Sequence, residues 1–533
     1  MSSENILSGP EPLGTTPDIS LGRYMYEALK KHGNKISMVD AVTGEARTFN
    51  DILRKSLCVA ECLYVRGVKS GDVVAICSEN NLDFILPVLA TYYIGAACAP
   101  VNPNYTTREI LHAMNISKPR IIFCSEKSLD CVSEAAFQVD SVKEIVVFGL
   151  PLSSKHKPTL FVSFLQNKSS SFKPLDIDYK DLTAAILSSS GTTGLPKGVL
   201  ITQQNILTLL GQIRDTRFYS LQPNDVLLGL LPFYHAYGFM CQLMTTDIGI
   251  KVVIMNKFEE ELFLKTIQNY KITVLTLVPP LVVFLAKSDL VNKYDLSSVR
   301  AITCGAAPLS NEMSELACKR LKLNHFTQGY GLTETTLGVI RTPTDRMKSG
   351  SSGILIPGVK CKVTDLETGK ILGPNKKGEL CFKGPLIMKG YYGDRQATSA
   401  SIDADGFFHT GDVGYYDDEG FFYIVDRVKE LIKYKGFQVA PAELEALLLT
   451  HPAVKDAGVI GIPDEVAGEL PLAFVVKQPE TSVSEEEIIG YVKGQVSPQK
   501  ILHGGVKFVD SIPKTASGKI LRREMRAMLK SKL

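Results

Sequence analysis

Short apolar runs alternate with amphipathic stretches along much of this chain, and this alternation constrains the fold more than any other feature. Between about residues 70 and 150, the apolar runs at 73–76, 97–101 and 121–124 are separated by stretches with helical periodicity. Strands that alternate with helices form a parallel sheet covered by helices. The alternation restarts at residues 184–187 and continues to Cys304, which predicts a second sheet packed against the first.

The later part of the chain has a different pattern. Beyond Gly353 the helical periodicity fades, and strand-like runs joined by turns predict a small β subdomain. A boundary near residues 426–429 separates it from an α+β region whose first helix starts at Pro441. We therefore predict an α/β fold. A large domain of residues 1–426 contains two packed α/β sheets and the β subdomain, and residues 427–533 form a small, mobile α+β domain.

Composition narrows the function classes. With 533 residues the chain is too long for one core, and 45% hydrophobic with 22% charged residues is typical of soluble globular proteins. A net charge of +3 gives no argument for binding nucleic acid or an anionic membrane. The 11 cysteines include no CxxC pair, which favours free thiols, and the eight histidines show no ligand-like spacing, so we expect no structural zinc.

Three segments bear on membrane insertion and targeting: the longest apolar run and the two ends of the chain. Residues 84–101 are uncharged but broken by prolines and a glycine, so we expect a buried helix and a strand rather than a membrane span. The first twenty residues lack the apolar core of a signal peptide. The chain ends in Ser531, Lys532 and Leu533, the address read by the peroxisomal import receptor, so that receptor is an expected partner and the peroxisome the expected location.

The stretch from Ser188 to Gly198 follows the apolar run at 184–187 and is rich in hydroxyls and glycines. Its glycines let backbone N–H groups turn toward one point, where Lys197 adds a positive charge. Such a concavity suits a polyphosphate. Pro196 excludes a Walker A loop, and the flanking apolar runs argue against a flexible linker. The residues that form it are Ser188, Ser189, Ser190, Gly191, Thr192, Thr193, Gly194, Lys197 and Gly198.

This loop resembles the phosphate loop of the adenylate-forming enzymes, the family of acyl-CoA synthetases, plant coumarate–CoA ligases and beetle luciferases. Other segments resemble that family in the same order, so the resemblance covers nearly the whole chain; they are residues 232–239, 304–309, 328–336, 409–412 and 513–519. The resemblance is closest to the branch that holds coumarate–CoA ligases and luciferases. It implies that the chain uses ATP, Mg²⁺ and CoA and acts on a small carboxylic acid.

The resemblance also implies an ATP site. Tyr330 would pack by the adenine, Thr333 would bond the α-phosphate, and Glu334 would hold Mg²⁺, to which a carboxylate is suited. Asp412 and Arg427 would bind near the ribose, although such residues are more often solvated surface. A dinucleotide fingerprint at 329–331 fails because its third glycine is absent. The ATP site would comprise Ser188, Ser189, Gly191, Thr192, Thr193, Gly194, Lys197, Ala307, Gln328, Gly329, Tyr330, Thr333, Asp412 and Arg427.

An acyl pocket is implied in the same way. His235 lies in an aromatic, glycine-containing turn, and residues 304–309 form a turn of small residues that a flat ring could approach. Without the resemblance, a structural histidine and an ordinary tight turn would be the simpler interpretations. The implied pocket residues are Arg214, His235, Ala236, Tyr237, Gly305, Ala306 and Leu337.

The small domain would supply two different surfaces to the site. Lys519 resembles the lysine that the family uses for adenylation, where a delivered ammonium stabilises charge on the phosphoryl oxygens. Lys433, Lys435 and Gly436 lie on the opposite motif, which the family presents for transfer to CoA. A rotation about residues 426–429 would exchange the two. The implied catalytic residues are Lys519, His235, Thr333 and Glu334.

Three classes of function remain open. An ATP-dependent acyl-CoA ligase acting on a medium- or long-chain fatty acid is favoured, with an aryl (coumarate-type) acid as an alternative substrate. A luciferase-type monooxygenase would instead oxidise a luciferyl-adenylate with light emission. A nucleotide-binding protein without catalysis is disfavoured because Lys519, Glu334 and Asp412 occur together.

The residues after Thr336 help to separate the first two classes. Light-emitting members of the family generally carry serine and alanine where this chain has Leu337 and Gly338. Arg341 also replaces a residue that is usually apolar. An apolar Leu337 fits an alkyl chain or a simple aryl acid better than a heterocycle that needs a hydrogen bond, which favours the ligase.

Overall fold

Four β-sheets with their covering helices make up the described part of the chain in a computed structural model, which describes residues 5–150, 157–166, 171–189, 196–323, 325–515 and 518–530. The strands are, in chain order, β1 (Leu7–Ser8), β2 (Ile36–Asp40), β3 (Ala46–Thr48), β4 (Val73–Cys77), β5 (Ala97–Val101), β6 (Ile121–Ser125), β7 (Glu144–Phe148), β8 (Thr159–Leu160), β9 (Thr183–Ser189), β10 (Lys197–Thr202), β11 (Val226–Gly229), β12 (Lys251–Ile254), β13 (Val274–Leu277), β14 (Ala301–Cys304), β15 (His325–Gly331), β16 (Gly338–Arg341), β17 (Ile354–Leu355), β18 (Lys360–Thr364), β19 (Ile371–Leu372), β20 (Gly378–Lys383), β21 (Gly390–Tyr391), β22 (Phe408–Tyr416), β23 (Phe422–Arg427), β24 (Ile432–Tyr434), β25 (Phe437–Val439), β26 (Val454–Asp464), β27 (Gly468–Lys477) and β28 (Val506–Phe508).

The helices connect and cover these strands. They are α1 (Leu21–His32), α2 (Phe49–Val65), α3 (Ile85–Ile94), α4 (Thr107–Ser117), α5 (Leu129–Ala136), α6 (Gln203–Gln212), α7 (Ala236–Ile248), α8 (Glu260–Tyr270), α9 (Pro279–Lys287), α10 (Asn311–Leu321), α11 (Arg395–Ser401), α12 (Pro441–Thr450), α13 (Glu485–Lys493) and α14 (Arg522–Lys530). Short 3-10 turns lie at Phe161–Leu165, Asp289–Lys293, Thr333–Thr335 and Pro498–Lys500.

The first sheet has the order β21-β10-β9-β5-β4-β6-β7-β8, and its strands run parallel from β9 to β8. The second has the order β17-β16-β15-β14-β13-β11-β12-β2-β3, with a parallel centre. One hydrophobic core joins both sheets and includes Met25, Tyr92, Leu207 and Met240 from four helices. The predicted pair of packed α/β sheets is therefore confirmed.

The assignment of strands to the two sheets differs from the prediction in one respect. The run at 184–187 was expected to open the second sheet, but β9 pairs with β5 in the first sheet. The reason is local, because the chain after β9 turns back as a hairpin and β10 pairs antiparallel with β9. The second sheet is instead extended by β2, which precedes the first sheet in sequence and pairs with β12.

The apolar stretch at 84–101 forms α3 and β5, and every residue of both elements is buried. This confirms the predicted buried helix and strand. Among the described residues, no helix is both long enough and apolar enough to cross a membrane.

The third sheet is the predicted small β subdomain. It is antiparallel, with the order β1-β18-β20-β22-β23 and β19 beside β18. Between β20 and β22 the register shifts, because Cys381 pairs with His409 whereas Glu379 pairs with Val413. The two paired positions are thus two residues apart in β20 but four residues apart in β22. We call the extra stretch of β22, residues 410–412, the β22 bulge.

The fourth sheet belongs to the C-terminal region and has the order β25-β24-β27-β26, with β28 beside β27. The chain leaves the third sheet after Arg427 and enters the fourth at Ile432, beside the predicted hinge; the rotation itself stays a prediction. Helix α12 begins at Pro441, as predicted, because the first turn of a helix does not need the N–H that proline lacks. Glu443 lies near the positive end of the same helix.

A lysine of the large domain binds the end of α12. Lys287 Nζ, in the last turn of α9, donates to the carbonyl oxygens of Leu449 (2.5 Å) and Val454 (3.3 Å). The carbonyl end of a helix carries partial negative charge, so a cation is stabilised there. We call this contact the Lys287 clasp.

The segment that carries Lys519 is docked on the same helix α9. Gly518 has a φ of +79°, and a Cβ there would lie 3.0 Å from Pro280 Cδ. Glycine therefore permits both the turn and the close approach. The two contacts with α9 fix how the C-terminal region lies against the large domain in this structure.

Candidate active site

The hairpin between β9 and β10 frames the predicted phosphate loop, with Ser189 and Lys197 as cross-strand partners. Ser188 lines a cavity at the base of this hairpin together with Val101 and His112. The predicted loop residues between the two strands lie outside the described residues; they are Ser190, Gly191, Thr192, Thr193 and Gly194.

Glu334 lies in the 3-10 turn after β15 and is only 7% exposed. Its Oε1 accepts hydrogen bonds from Ser189 Oγ (2.6 Å) and Tyr391 Oη (3.0 Å). Among the described residues, no basic side chain forms an ion pair with it within 4.0 Å. A buried carboxylate that has only hydroxyl partners is suited to a hard cation, so it fits the Mg²⁺ that the family resemblance implies.

Asp412 lies in the β22 bulge opposite Arg427 and is 5% exposed. Tyr330 Oη donates to its Oδ2 (2.7 Å), and Arg427 Nε lies 3.3 Å from its Oδ1. Although this is an ion pair by distance, Oδ1 is buried without a well-aligned hydrogen bond. Burial raises the pKa of Asp412, and the Arg427 charge opposes that effect. A buried acceptor that lacks a donor fits a ribose hydroxyl.

Lys519 reaches this site from the C-terminal region. Burial, followed by the neighbouring Arg427 cation, lowers the pKa of Lys519 to about 8. The carboxylates of Asp412, Glu430 and Glu334 act in the opposite direction. The ammonium is therefore close enough to these carboxylates to be influenced by their charge, although among the described residues no ion pair within 4.0 Å joins it to any of them.

His235 caps the N-terminus of α7, where its Nδ1 accepts the backbone N–H of Tyr237 (3.4 Å). That acceptor role leaves the proton of the neutral ring on Nε2. Burial and, secondarily, the Lys519 charge lower the pKa of His235 to about 4. The imidazole is therefore neutral at physiological pH and can donate from Nε2 without adding a positive charge.

Of the other predicted acyl-pocket residues, Gly305 lies beside the ring of Tyr237. The Tyr237 Oη donates to Thr303 O (3.3 Å), and a Cβ at Gly305 would lie 3.6 Å from the ring, an ordinary van der Waals contact. Ala306 is exposed with a φ of +74°, Ala236 is buried in α7, and Leu337 packs against the main core.

Arg214 contacts the end of α7 that lies away from His235. Its Nη2 pairs with the carboxylate of Asp247 (2.8 Å) in the last turn of α7, whereas His235 caps the first turn. Eleven residues of helix separate these turns by roughly 17 Å. Tyr24 is a further neighbour of the guanidinium. The place of Arg214 in the acyl pocket stays a prediction.

The remaining predicted nucleotide residues follow the ends of β14 and β15. Gln328 and Gly329 lie in β15, Thr333 opens the 3-10 turn, and Ala307 lies in the turn after β14. Gly331 must be a glycine, because a Cβ there would lie 1.7 Å from Leu337 O. The tight approach of these two backbone segments brings Tyr330 and Glu334 to the same side of the site.

The predicted CoA-side residues lie elsewhere in the structure. Lys433, Lys435 and Gly436 are exposed on the hairpin between β24 and β25. Lys435 and Gly436 both have positive φ angles, as a tight hairpin turn requires. The structure brings Lys519 to the site and leaves this hairpin at the surface.

Tyr391 was missed by the sequence analysis. It lies in β21, donates to Glu334 and holds its ring 4.7 Å from Lys197 Nζ. β21 joins the edge of the first sheet beside β10, which carries the phosphate-loop lysine. Only that long-range pairing brings Tyr391 to the site, so no local pattern could have identified it.

Comparison with known proteins matches both parts of the chain to one family. Residues 25–392 match the AMP-binding enzyme model, and residues 443–519 match the AMP-binding enzyme C-terminal domain. The chain is 44% identical to a luciferin 4-monooxygenase of Nipponoluciola cruciata, over 99% of this chain and 98% of that protein. It is 39% identical to a 4-coumarate–CoA ligase of Vanilla planifolia, over 96% of this chain and 94% of that protein.

A solved structure supports the same relationship. The crystal structure of ATP-bound MatB from Rhodopseudomonas palustris is 28% identical and superposes with a TM-score of 0.86, covering 96% of this chain and 99% of that chain. Its mixed α/β architecture has the same large N-terminal and small C-terminal domains. The predicted fold class is thereby confirmed.

Proposed function

The chain belongs to the family of AMP-binding, adenylate-forming enzymes, and from this premise we propose that it is an ATP-dependent acid–thiol ligase. It activates a carboxylic acid as its acyl-adenylate and then transfers the acyl group to CoA. The observation that carries the proposal is that Lys519 of the C-terminal region, docked on α9 through Gly518, is buried near enough to Asp412, Glu334 and His235 for their charges to interact. A protein that only stored or sensed a nucleotide would have no need of a cation delivered from a second domain.

The proposed reaction has two balanced steps. In the first, an oxygen of the substrate carboxylate attacks the α-phosphorus of ATP, the bond to the β-phosphate oxygen breaks, and pyrophosphate leaves. In the second, the sulfur of CoA attacks the acyl carbon, the thiol proton is lost, and AMP leaves. The mixed anhydride between the two steps makes a poor electrophile reactive.

Five residues of the chain act in the first step. Lys519 stabilises the negative charge that develops on the phosphoryl oxygens, because it lies partly buried where such a charge is poorly screened. Neutral His235 donates from Nε2 to the carboxylate of the acid. Thr333 bonds the α-phosphate, and Tyr330 with Asp412 holds the adenosine, whose ribose satisfies the free Oδ1.

Glu334 is proposed as the protein ligand of Mg²⁺. The metal, when bound, would neutralise charge on the phosphates. Glu334 is buried, and Ser189 and Tyr391 orient its carboxylate by donating to the same oxygen, which leaves Oε2 for a cation. The Lys197 ammonium lies over the Tyr391 ring, 4.7 Å from its centre, and adds positive charge there.

The second step requires that Lys519 be withdrawn to admit the thiol. We propose a rotation about residues 426–429 that replaces Lys519 with the hairpin of Lys433, Lys435 and Gly436. The surface exposure of that hairpin is compatible with its use in a different domain arrangement. CoA is the proposed acceptor.

We propose a medium- or long-chain fatty acid as the substrate. Leu337 is an apolar side chain at the predicted pocket position where a heterocyclic acid would need a hydrogen bond. An aryl acid of the coumarate type is the alternative. Both belong to the same ligase chemistry and differ only in the acyl group.

The experiment that decides the substrate measures pyrophosphate release over a panel of fatty, aryl and bile-type acids, with and without CoA. The proposal expects acyl-CoA as the product, identified by mass spectrometry, with fatty acids turned over faster than aryl acids. A faster reaction with aryl acids would transfer the assignment to a coumarate-type ligase. Absence of acyl-CoA with every acid would contradict the ligase assignment.

The role of Lys519 is tested with half-reactions. Lys519→Ala should slow acyl-AMP formation by about 10²–10³-fold while thioester formation from supplied acyl-AMP persists. Lys514→Ala is a matched control in the same segment, because Lys514 pairs with Asp456 (2.6 Å) rather than with site residues. Equal loss of both half-reactions in Lys519→Ala would show that the assigned role is wrong.

A luciferase-type reaction is the second candidate, favoured by the identity to luciferin 4-monooxygenases. We expect the wild-type protein to emit little or no light with luciferin and ATP, because Leu337 offers no hydroxyl to hold the ring system. Leu337→Ser should raise any emission and lower fatty acyl-CoA synthesis. Strong emission by the wild-type protein would favour the monooxygenase.

The peroxisome is the proposed location, on the basis of Ser531, Lys532 and Leu533. These residues lie outside the described part of the chain. Deleting them should leave the enzyme in the cytosol with unchanged activity. Continued co-sedimentation of the truncated protein with peroxisomes would exclude this address.

A further inference from the structure

Three potential metal-ligand side chains meet beside the β22 bulge. Cys381 of β20 and His409 of β22 are direct cross-strand partners, and Cys381 Sγ lies 3.4 Å from His409 Nδ1. His409 Nδ1 lies 2.8 Å from Glu379 Oε2 on the same strand as the cysteine. The three donor atoms all lie within 4.8 Å of one another.

These separations suit one small metal ion. Zinc bonds of 2.0–2.3 Å at tetrahedral angles place neighbouring ligand atoms about 3.3–3.6 Å apart. The Cys381 Sγ–His409 Nδ1 distance of 3.4 Å lies within that range, and the His409 Nδ1–Glu379 Oε2 distance of 2.8 Å is short of it by an amount that a small side-chain adjustment can supply. A sulfur, an imidazole nitrogen and a carboxylate oxygen are also the ligand types that zinc prefers.

The groups behind the ligands are arranged as supporting partners. Asp403 Oδ2 faces the other ring nitrogen of His409 at 3.4 Å, and Lys362 Nζ fixes Asp403 at 2.6 Å. A carboxylate behind a histidine is the usual means of orienting the ring toward a metal. Glu379 Oε1 accepts the backbone N–H of Gly411 (2.9 Å), which leaves Oε2 as the oxygen directed at the histidine.

An ion can reach this cluster from solvent. The Glu379 and His409 side chains are 20% and 33% exposed, whereas Cys381 is fully buried behind them. Lys362 is a neighbouring cation whose charge is balanced by Asp403. A metal would therefore meet the carboxylate and imidazole first and the sulfur last.

We propose that Glu379, Cys381 and His409 form a binding site for a single zinc-class divalent cation, with water completing the coordination. The cysteine thiol releases its proton to solvent as the sulfur–metal bond forms. The site is separate from the proposed magnesium position, because Glu334 offers only oxygen donors and a thiolate favours a softer ion. The zinc proposal does not depend on the proposed acyl-CoA ligase activity.

The test is metal binding by the full-length protein after removal of metals with a chelator. Zn²⁺ is titrated against a chromophoric chelator, and Co²⁺ serves as a spectroscopic probe because a thiolate ligand gives a charge-transfer absorption. We expect one zinc per chain and a cobalt–thiolate band. Cys381→Ser should remove the band and weaken zinc binding at least 10-fold.

Two further variants separate coordination from general damage. Cys361→Ser alters another fully buried cysteine on the adjacent strand β18, and it should retain the band and the zinc affinity. Asp403→Asn should keep the band but weaken zinc by about 10–100-fold, as loss of a supporting partner does. If Cys381→Ser fails to fold, Glu379→Gln provides the same affinity comparison.

The outcomes are decisive in either direction. Zinc should also raise the melting temperature of the wild-type protein and of Cys361→Ser, but not that of Cys381→Ser. No stoichiometric zinc in the wild-type protein, or an affinity that none of the ligand variants changes, would overturn the proposal.

Discussion

The low pKa of Lys519 leads to a prediction at the scale of a single residue. Because burial and Arg427 lower it to about 8, the fraction of Lys519 that is charged falls as the pH rises through 8. Adenylation needs the charged form, so kcat/KM for acyl-AMP formation, which reports the free enzyme, should fall above about pH 8.

The control for this prediction is a variant whose side chain keeps its positive charge at high pH. Lys519→Arg, with a side chain that stays charged at all accessible pH values, should lose rate but also lose the fall above pH 8. Thioester formation from supplied acyl-AMP should show no such fall. An adenylation profile that is flat to pH 10 in the wild-type protein would contradict the assignment.

Individual residues also show where the sequence was a sufficient guide. Tyr330, Glu334, Asp412 and Lys519 were expected at one site, and the structure brings them near one another from two sheets, the 3-10 turn after β15 and the C-terminal segment. Arg214 was assigned from resemblance alone, and the pull of a buried Asp247 could not be seen without the fold. Their roles in catalysis stay predictions.

The β22 bulge leads to a prediction at the scale of an element. Gly411 has a φ of +69°, and no atom lies within 4 Å of where a Cβ would be added. Gly411→Ala therefore introduces backbone strain and no steric clash. That strain costs about 1–2 kcal/mol. A backbone adjustment that relieves this strain would shift the neighbouring Asp412, so KM for ATP should rise several-fold. The strain itself should lower the melting temperature.

Gly393→Ala is a matched control for this change. Gly393 has the same φ of +69° and the same open surroundings, but it lies in the turn after β21. It should lose similar stability and keep the wild-type KM for ATP. An equal rise in KM in both variants would mean that strain at the bulge has no specific connection to Asp412.

Elements were predicted well where one pattern decides them. Continuous apolar runs located β4, β5 and β6 to within a residue, because strands of a covered parallel sheet are buried on both faces. The prediction that β9 belongs to the second sheet was wrong, since strand pairing depends on contacts that are remote in sequence. Histidine spacing could not indicate the Glu379, Cys381 and His409 cluster for the same reason, because Cys381 and His409 come from different strands. Zinc binding by that cluster is a proposal, and the expectation of no structural zinc stays a prediction.

The Lys287 clasp leads to a prediction at the scale of the whole molecule. Lys287→Met removes a cation from the end of α12 and should weaken the arrangement seen here by about 0.3–1 kcal/mol. Adenylation should slow by about two- to five-fold, while thioester formation from acyl-AMP is unchanged or faster. Lys265→Met is the control, because Lys265 pairs with Glu261 on the surface of α8.

Rapid-quench measurement of the two half-reactions checks this prediction. Equal slowing of both steps would indicate damage to the fold rather than a change in domain arrangement. The comparison uses the complete enzyme, so the small domain remains attached in every variant.

The clasp also bears on the timing of the catalytic cycle. If the small domain rotates once in each half of a turnover, the hydrogen bonds from Lys287 to Leu449 and Val454 must break and form again every time. A firmer clasp would lengthen the dwell before thioester formation and leave the reactive anhydride waiting, while a looser one would leave Lys519 absent when ATP arrives. On the proposed cycle, the throughput of the enzyme would depend on a contact of intermediate strength, far from any atom that reacts.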